Sequence, residues 1–73
     1  MPQIVDARGL RCPLPLVRAR QALAVLGAVE VLIGLASDPE APIDLAALAA
    51  DVGRGFTSEL SGSEWRLTLA AEE

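Results

Sequence analysis

The sequence predicts a two-layer α/β sandwich, in which two helices cover one face of a four-stranded mixed sheet in the element order β-α-β-α-β-β. Three observations lead to this prediction. The 73 residues are enough for a single domain only, which we place at 1–73. Hydrophobic residues make up 52% of the chain, so it is too apolar to remain disordered. Stretches that begin with proline and end before glycine, as helices do, alternate with stretches typical of strands.

The first half of the chain predicts a parallel β-α-β unit. A short strand is expected at 3–7, and a loop that contains Gly9 follows it. A helix should begin at Pro13, because the first helical turn tolerates proline, and it should end at Gly27. Residues 29–36 predict a strand that is apolar on both faces, and such a strand is central in a sheet or covered by a partner. A right-handed crossover would join the two strands.

The second half predicts a helix followed by a hairpin. The helix is expected at about 43–52, with a proline near its start and a glycine just past its end. Residues 56–60 and 65–69 alternate with period two, and 61–64 would join them as a hairpin. Trp65 falls on the apolar face of its strand, so we assign it to the core.

Missing residue types exclude several kinds of active site. The chain has no His, which excludes an imidazole base and any Ser-His or Cys-His pair. All six basic residues are Arg, which excludes a Schiff-base lysine and the lysine of a phosphate-binding loop. A single cysteine cannot form an internal disulfide or a zinc cluster. We therefore expect neither a metal nor a cofactor.

Charge and hydropathy bear on location and partners. No stretch approaches the roughly 20 apolar residues of a membrane span, and a lone cysteine suits a reducing compartment, so we expect a cytoplasmic protein without membrane contact. The net charge is −4, which argues against direct nucleic-acid binding. Residues 1–20 are nevertheless basic. They hold Arg8, Arg11, Arg18 and Arg20, and charge alone fits a docking surface and an ordinary solvated surface equally well.

Cys12 is the only strong nucleophile in the sequence. A lone cysteine in a cytosolic protein is most often a small buried hydrophobe. Cys12 instead lies between a loop and a predicted helix N-terminus, whose partial positive charge lowers a thiol pKa. We therefore predict an exposed thiol with a lowered pKa, helped by Arg11 and Arg8 if these point towards it. Pro13 and Pro15 have no N–H to offer the sulfur, but they stiffen the turn and hold the thiol outwards.

The sequence limits what this thiol can do. With no proton shuttle, no metal and no oxyanion donor in evidence, a hydrolase is excluded. An exposed thiolate can still attack a sulfane sulfur, hold it as a persulfide and pass it to a second protein. That chemistry needs only an accessible sulfur atom, a stabilised anion and a docking surface.

The residues around Cys12 resemble a known motif. The stretch 6–15 reads Asp-Ala-Arg-Gly-Leu-Arg-Cys-Pro-Leu-Pro and is similar to the pattern D-x-x-G-x-x-C-P-x-P of the TusA/SirA-like sulfur-carrier family. The matching positions are Asp6, Gly9, Cys12, Pro13 and Pro15. Asp38-Pro39, with Asp44 further on, resembles a second family feature. Many relatives have basic residues, often lysines, early in the first helix, where this chain has Arg18 and Arg20; arginine keeps the charge.

The resemblance implies a two-layer sandwich and a persulfide on Cys12. It further implies a sulfur-donor protein of the cysteine desulfurase or rhodanese type. Sulfur-acceptor proteins would belong to tRNA thiolation, molybdenum-cofactor synthesis or sulfur oxidation. We interpret the chain as a carrier-type sulfurtransferase rather than a stand-alone enzyme, and as a monomer or weak dimer.

The other residues of the motif have supporting interpretations. Asp6 should organise the loop by accepting backbone N–H groups, and Gly9 should serve the backbone conformation. Asp38 and Asp44 should cap the turn and the second helix, since two carboxylates alone rarely hold a cation. The basic residues would hold an acidic partner or stabilise the persulfide anion; they are Arg8, Arg11, Arg18 and Arg20.

Three alternatives remain open at this point. The chain could be a non-catalytic regulatory or protein-interaction module that binds through its arginines or the second face of its sheet. It could be a thiol redox sensor that forms an intermolecular disulfide through Cys12. RNA binding is the weakest alternative, because Phe56 and Trp65 are assigned to the core and cannot stack on bases.

Overall fold

The computed structural model describes residues 2–72 and confirms the predicted fold class and element order. The strands are β1 (Gln3–Ala7), β2 (Leu32–Ala36), β3 (Arg54–Ser61) and β4 (Glu64–Glu72), and the helices are α1 (Leu14–Val25) and α2 (Ala41–Asp51). The strands form one four-stranded sheet in the order β1-β2-β4-β3. β1 pairs parallel with β2, while β4 pairs antiparallel with both β2 and β3.

The core lies between the helices and one face of the sheet. α1 packs on β1 and β2, and α2 packs on β3 and β4. The fully buried large side chains are Leu32, Leu45, Leu67 and Leu69. Burying each of them contributes about 2 kcal/mol. Gly34 lets α2 approach the sheet closely, because a Cβ there would lie 3.3 Å from Leu45 Cδ2. Trp65 is half-buried and packs against this core, as predicted.

The central strand is shorter than predicted. β2 starts at Leu32 rather than Val29, whose side chain is 87% exposed. The cause is Arg54, a buried residue that the sequence analysis did not single out. Its guanidinium donates hydrogen bonds to the carbonyl oxygens of Gly27 and Glu30, and so holds the connection before β2 in a turn. α2 begins two residues earlier than expected and ends at Asp51.

The longer of the two helices, α1, has 12 residues. Since a bilayer crossing needs about 20 residues, no helix within residues 2–72 could span a membrane. The sheet face opposite the helices mixes apolar and polar side chains. By strand alternation it carries Ile4, Ile33, Glu59, Arg66 and Thr68.

Candidate functional site

The site forms where the two parallel strands end. Ala7, the last residue of β1, pairs with Ala36, the last residue of β2, so the loops that follow these strands lie side by side. Two hydrogen bonds join the loops. Gly9 N donates to Ser37 Oγ at 2.8 Å, and Cys12 N donates to an Asp38 carboxylate oxygen at 2.6 Å. The pairing of β1 with β2 therefore sets the position of Cys12 relative to the β2–α2 connection.

Asp6 organises the first loop, as predicted. Its Oδ1 accepts hydrogen bonds from the backbone N and the Nε of Arg8, at 3.1 and 2.9 Å, and its Oδ2 lies 2.8 Å from an Arg8 terminal nitrogen. The side-chain hydrogen bond from Arg8 lowers the pKa of Asp6 to about 2. Gly9 has a φ of +82°, a conformation that few other residues adopt, which confirms its conformational role.

Cys12 stands just before α1, and its thiol is exposed, as predicted. The Cys12–Pro13 peptide bond is cis. Within the described residues, the side-chain partner of the thiol is Asp44, in the first turn of α2, whose Oδ2 accepts a hydrogen bond from Sγ at 3.1 Å. The site therefore combines an exposed nucleophile with a carboxylate from the other helix.

The predicted lowering of the thiol pKa is wrong. The pKa of Cys12 is raised, first by its hydrogen bond to Asp44, then by desolvation, and then by the negative charges of Asp44, Asp38 and Glu40. The helix N-terminus offers little compensation. Pro13 has no N–H, and the N–H of the next residue in the chain donates to the carbonyl oxygen of Arg11 at 2.8 Å. The carboxylates of the β2–α2 loop and of the first turn of α2 therefore outweigh the helix dipole.

The two aspartates of the β2–α2 region differ in role. Asp38 organises its turn as predicted, since its Oδ1 accepts a hydrogen bond from Glu40 N at 2.8 Å. That bond, and a second one from Cys12 N, lower the pKa of Asp38. The interpretation of Asp44 as the cap of α2 is wrong. The N-cap residue of this helix is Glu40, and no side chain caps the helix by a hydrogen bond. Sequence reasoning missed the contact of Asp44 with Cys12 because 32 residues separate them.

The four predicted arginines occupy different surroundings. Arg8 forms ion pairs with Asp6 and Glu64, at 2.8 and 3.6 Å. Arg11 is exposed, and its charge contributes to the lowered pKa of Asp38. Arg18 and Arg20 are exposed further along α1. Their roles in docking or in persulfide stabilisation stay predictions.

The potential ligands for a metal are too few at this site. Across residues 2–72, no three side chains of the Cys, Asp and Glu types come together as a metal-binding group. The neighbouring surface is a depression of about 290 Å³, lined by Gly9, Leu10, Arg11, Ser37, Asp38 and Pro39. The arrangement can thus support thiol exchange with a macromolecule that approaches from solvent.

Comparison with known proteins identifies the family. The family model described as sulfurtransferase TusA matches residues 3–70. The chain belongs to the TusA family. The sulfur carrier protein TusA of Allochromatium vinosum is 41% identical over 51 residues, which cover 70% of this chain and 67% of that protein. A Neisseria meningitidis serogroup A protein, named as a proposed sulfur carrier, is 43% identical over 51 residues, or 70% of this chain and 69% of its own length.

A solved structure supports the same assignment. The crystal structure of a SirA-like protein from Desulfitobacterium hafniense superposes with a TM-score of 0.84 at 30% identity, over 96% of this chain and 97% of that one. The resemblance to TusA/SirA-like proteins is therefore confirmed, together with the sandwich fold. Membership of the TusA family supports a sulfur-carrier role, and such a role implies contact with a protein that supplies sulfur and another that receives it.

Proposed function

We propose that this TusA-family chain carries sulfane sulfur between proteins as a persulfide on Cys12. The observation that carries the proposal is the exposed Cys12 thiol at the paired ends of β1 and β2, in a chain with no other cysteine. The thiol is the only strong nucleophile that the sequence supplies, and a partner can reach it from solvent.

The transfer balances without an outside oxidant or reductant. A donor protein presents a persulfide, and Cys12 Sγ attacks its outer sulfur. A new S–S bond forms on Sγ, the S–S bond of the donor breaks, and the donor sulfur leaves and takes up the proton that Cys12 gives up. A thiol of the acceptor protein removes the outer sulfur by the same exchange. The donor, this chain and the acceptor thereby hold the same sulfur atom in turn, and this chain acts as a carrier rather than as a stand-alone enzyme.

The surroundings of Cys12 support docking of a protein partner. Leu14 and Ile43, in the first turns of the two helices, are 47% and 64% exposed and offer apolar contact area at the helix ends that carry Cys12 and Asp44. The arginines of α1 add positive charge along the same helix, at Arg18 and Arg20. We assign the donor to the cysteine desulfurase or rhodanese class and the acceptor to tRNA thiolation, molybdenum-cofactor synthesis or sulfur oxidation. We place the relay in the cytoplasm, where a free thiol stays reduced.

Mass spectrometry of the intact protein tests the proposal. After incubation with a cysteine desulfurase and L-cysteine, the wild-type chain should gain one sulfur atom, and dithiothreitol should remove it. The matched control is Cys12→Ser, which should gain none. A wild-type chain that gains no sulfur from either a desulfurase or a rhodanese would contradict the proposal.

The same samples separate the alternatives. A redox sensor would form a disulfide-linked dimer with peroxide alone, without any sulfur donor. An interaction module would bind its partner equally well as wild type and as Cys12→Ser, and neither would gain sulfur.

A further inference from the structure

We propose that Asp44 is a positioning residue for Cys12. Through their hydrogen bond it holds the thiol of the unloaded carrier in its protonated form. Once a sulfane sulfur is attached to Cys12 this hydrogen bond is lost, a change that we call the release. The inference deepens the proposed function, and its second half, the release, rests on that function. Its first half concerns the free thiol and stands on the geometry of the site.

Both ends of the hydrogen bond are held by the fold. Asp44 lies between Ala41 and Leu45 on α2, and both of these side chains are buried in the core. Cys12 is tied through its backbone N to Asp38, at 2.6 Å. Because the donor and the acceptor each belong to an anchored segment, the distance of 3.1 Å between Sγ and Asp44 Oδ2 follows from the packing of α2.

The charged groups that face the thiol are mostly acidic. Asp38, Glu40 and Asp44 come from the β2–α2 region, and each disfavours the thiolate by its negative charge. Arg11 precedes Cys12 in the chain, and its positive charge acts on Asp38. A thiolate at Cys12 would lose the hydrogen bond to Asp44 and face an oxygen of like charge instead. The protonated thiol is therefore the form that this site favours.

Loading of Cys12 with sulfur removes its hydrogen bond to Asp44. The S–H bond of Cys12 is replaced by an S–S bond, so Sγ has no proton left to donate to Asp44. The persulfide anion is then repelled by the Asp44 carboxylate, and the outer sulfur should turn towards solvent. Asp44 would thus distinguish the empty carrier, whose thiol is retained, from the loaded carrier, whose sulfur is offered to the acceptor.

The retained state, in which the protonated Cys12 thiol is hydrogen-bonded to Asp44, is tested by the rate of alkylation with iodoacetamide from about pH 6 to about pH 10. Only the thiolate displaces iodide, so the rate reports how much of Cys12 is deprotonated. Asp44→Asn removes the charge and keeps the shape. It should react about threefold faster or more at neutral pH, with the midpoint of its profile at lower pH. Asp44→Glu should stay close to wild type. The matched control is Asp51→Asn, an equal charge change about 10 Å further along α2, which should leave the profile unchanged.

A second measurement keeps the inference testable if a variant is destabilised. The S–H stretching band arises from Cys12 alone, because the chain has no other cysteine. In the infrared spectrum this band should lie at lower frequency in wild type than in Asp44→Ala, as expected for a hydrogen-bonded thiol. Identical bands, or an Asp44→Asn alkylation profile that coincides with that of wild type, would overturn the retained state.

The release is tested on sulfur-loaded protein. The ratio of the Asp44→Asn alkylation rate to the wild-type rate should be smaller after loading than before, because the hydrogen bond is gone. An equal or larger ratio would overturn the release. Failure of this inference and failure of the proposed function are distinguishable. If Cys12 gains sulfur but the Asp44 variants behave like wild type, the proposed function stands and this inference is wrong. If the Asp44 variants change the thiol reactivity but Cys12 gains no sulfur, the hydrogen-bonded thiol stands and the proposed function is wrong.

Discussion

The loop–helix junctions after β1 and β2 differ in their charge, and the acidic groups predominate in the second one. The first junction, counted from the end of β1, contains Asp6 and Cys12, and its one carboxylate pairs with Arg8, two residues further along the chain. The junction after β2 contains Asp38 and Asp44, and both direct an oxygen towards Cys12. The nucleophile and the groups that act on it therefore belong to different junctions, which the parallel pairing of the two strands brings together.

This difference explains why the expected activation of the thiol fails. A helix N-terminus provides about half a positive charge, shared among N–H groups. At α1 two of the first residues are prolines, Pro13 and Pro15, and so lack an N–H. A carboxylate provides a full negative charge, and at Asp44 it lies 3.1 Å from the sulfur. At a similar range the full charge outweighs the partial one.

The largest effect on stability is expected when α2, which belongs to the second junction, loses its packing against the sheet. Leu45→Ala should lower the free energy of unfolding by about 2–5 kcal/mol, because it removes a fully buried side chain between α2 and the sheet. Urea unfolding followed by the fluorescence of Trp65, the only tryptophan, measures the change. The matched control is Ile43→Ala, an exposed position of the same helix. Equal losses in the two variants would show that α2 is not held by this packing.

A smaller effect on stability is expected when the hydrogen bond between the two junctions, from Cys12 N to Asp38, is removed. Asp38→Ala leaves Cys12 N and Glu40 N without their acceptor and removes one of the charges that raise the pKa of Cys12. The variant should unfold at lower urea than Asp51→Ala, and its thiol should be alkylated faster than that of wild type at neutral pH. A variant with the stability and the thiol reactivity of wild type would show that the two junctions are independent.

The smallest effect concerns the carboxylate of the first junction and depends on pH. The folded-state pKa of Asp6 is about 2, below its ordinary value of 3.8, so the stability that Asp6 contributes is complete above about pH 4 and is lost as the pH falls towards 2. Asp6→Asn should therefore reduce stability near neutral pH and flatten the stability profile in this acidic window. Asp51→Asn is the control, and an acid profile of Asp6→Asn that parallels that of wild type would contradict this role.

Local chemistry explains the features that could be predicted. The helix boundaries near Pro13 and Gly27, the strand at 3–7 and the hairpin follow from residue types a few positions apart, and the structure agrees with them closely. The exposure of Cys12 follows in the same way, from its place between a glycine-containing loop and a proline-rich turn. The loop role of Asp6 is local as well, because its partner Arg8 is two residues away.

Contacts between distant segments explain what could not be predicted. The late start of β2 depends on Arg54, a buried side chain that reaches back to residues 27–30 across the fold. The state of the Cys12 thiol depends on Asp44, 32 residues away, through the pairing of β1 with β2 and the packing of α2. The amino-acid order accounts for the elements, the motif and the exposed nucleophile, because these depend on neighbours along the chain. The protonation preference of that nucleophile comes from the folded arrangement, because electrostatic energy depends on separation in space.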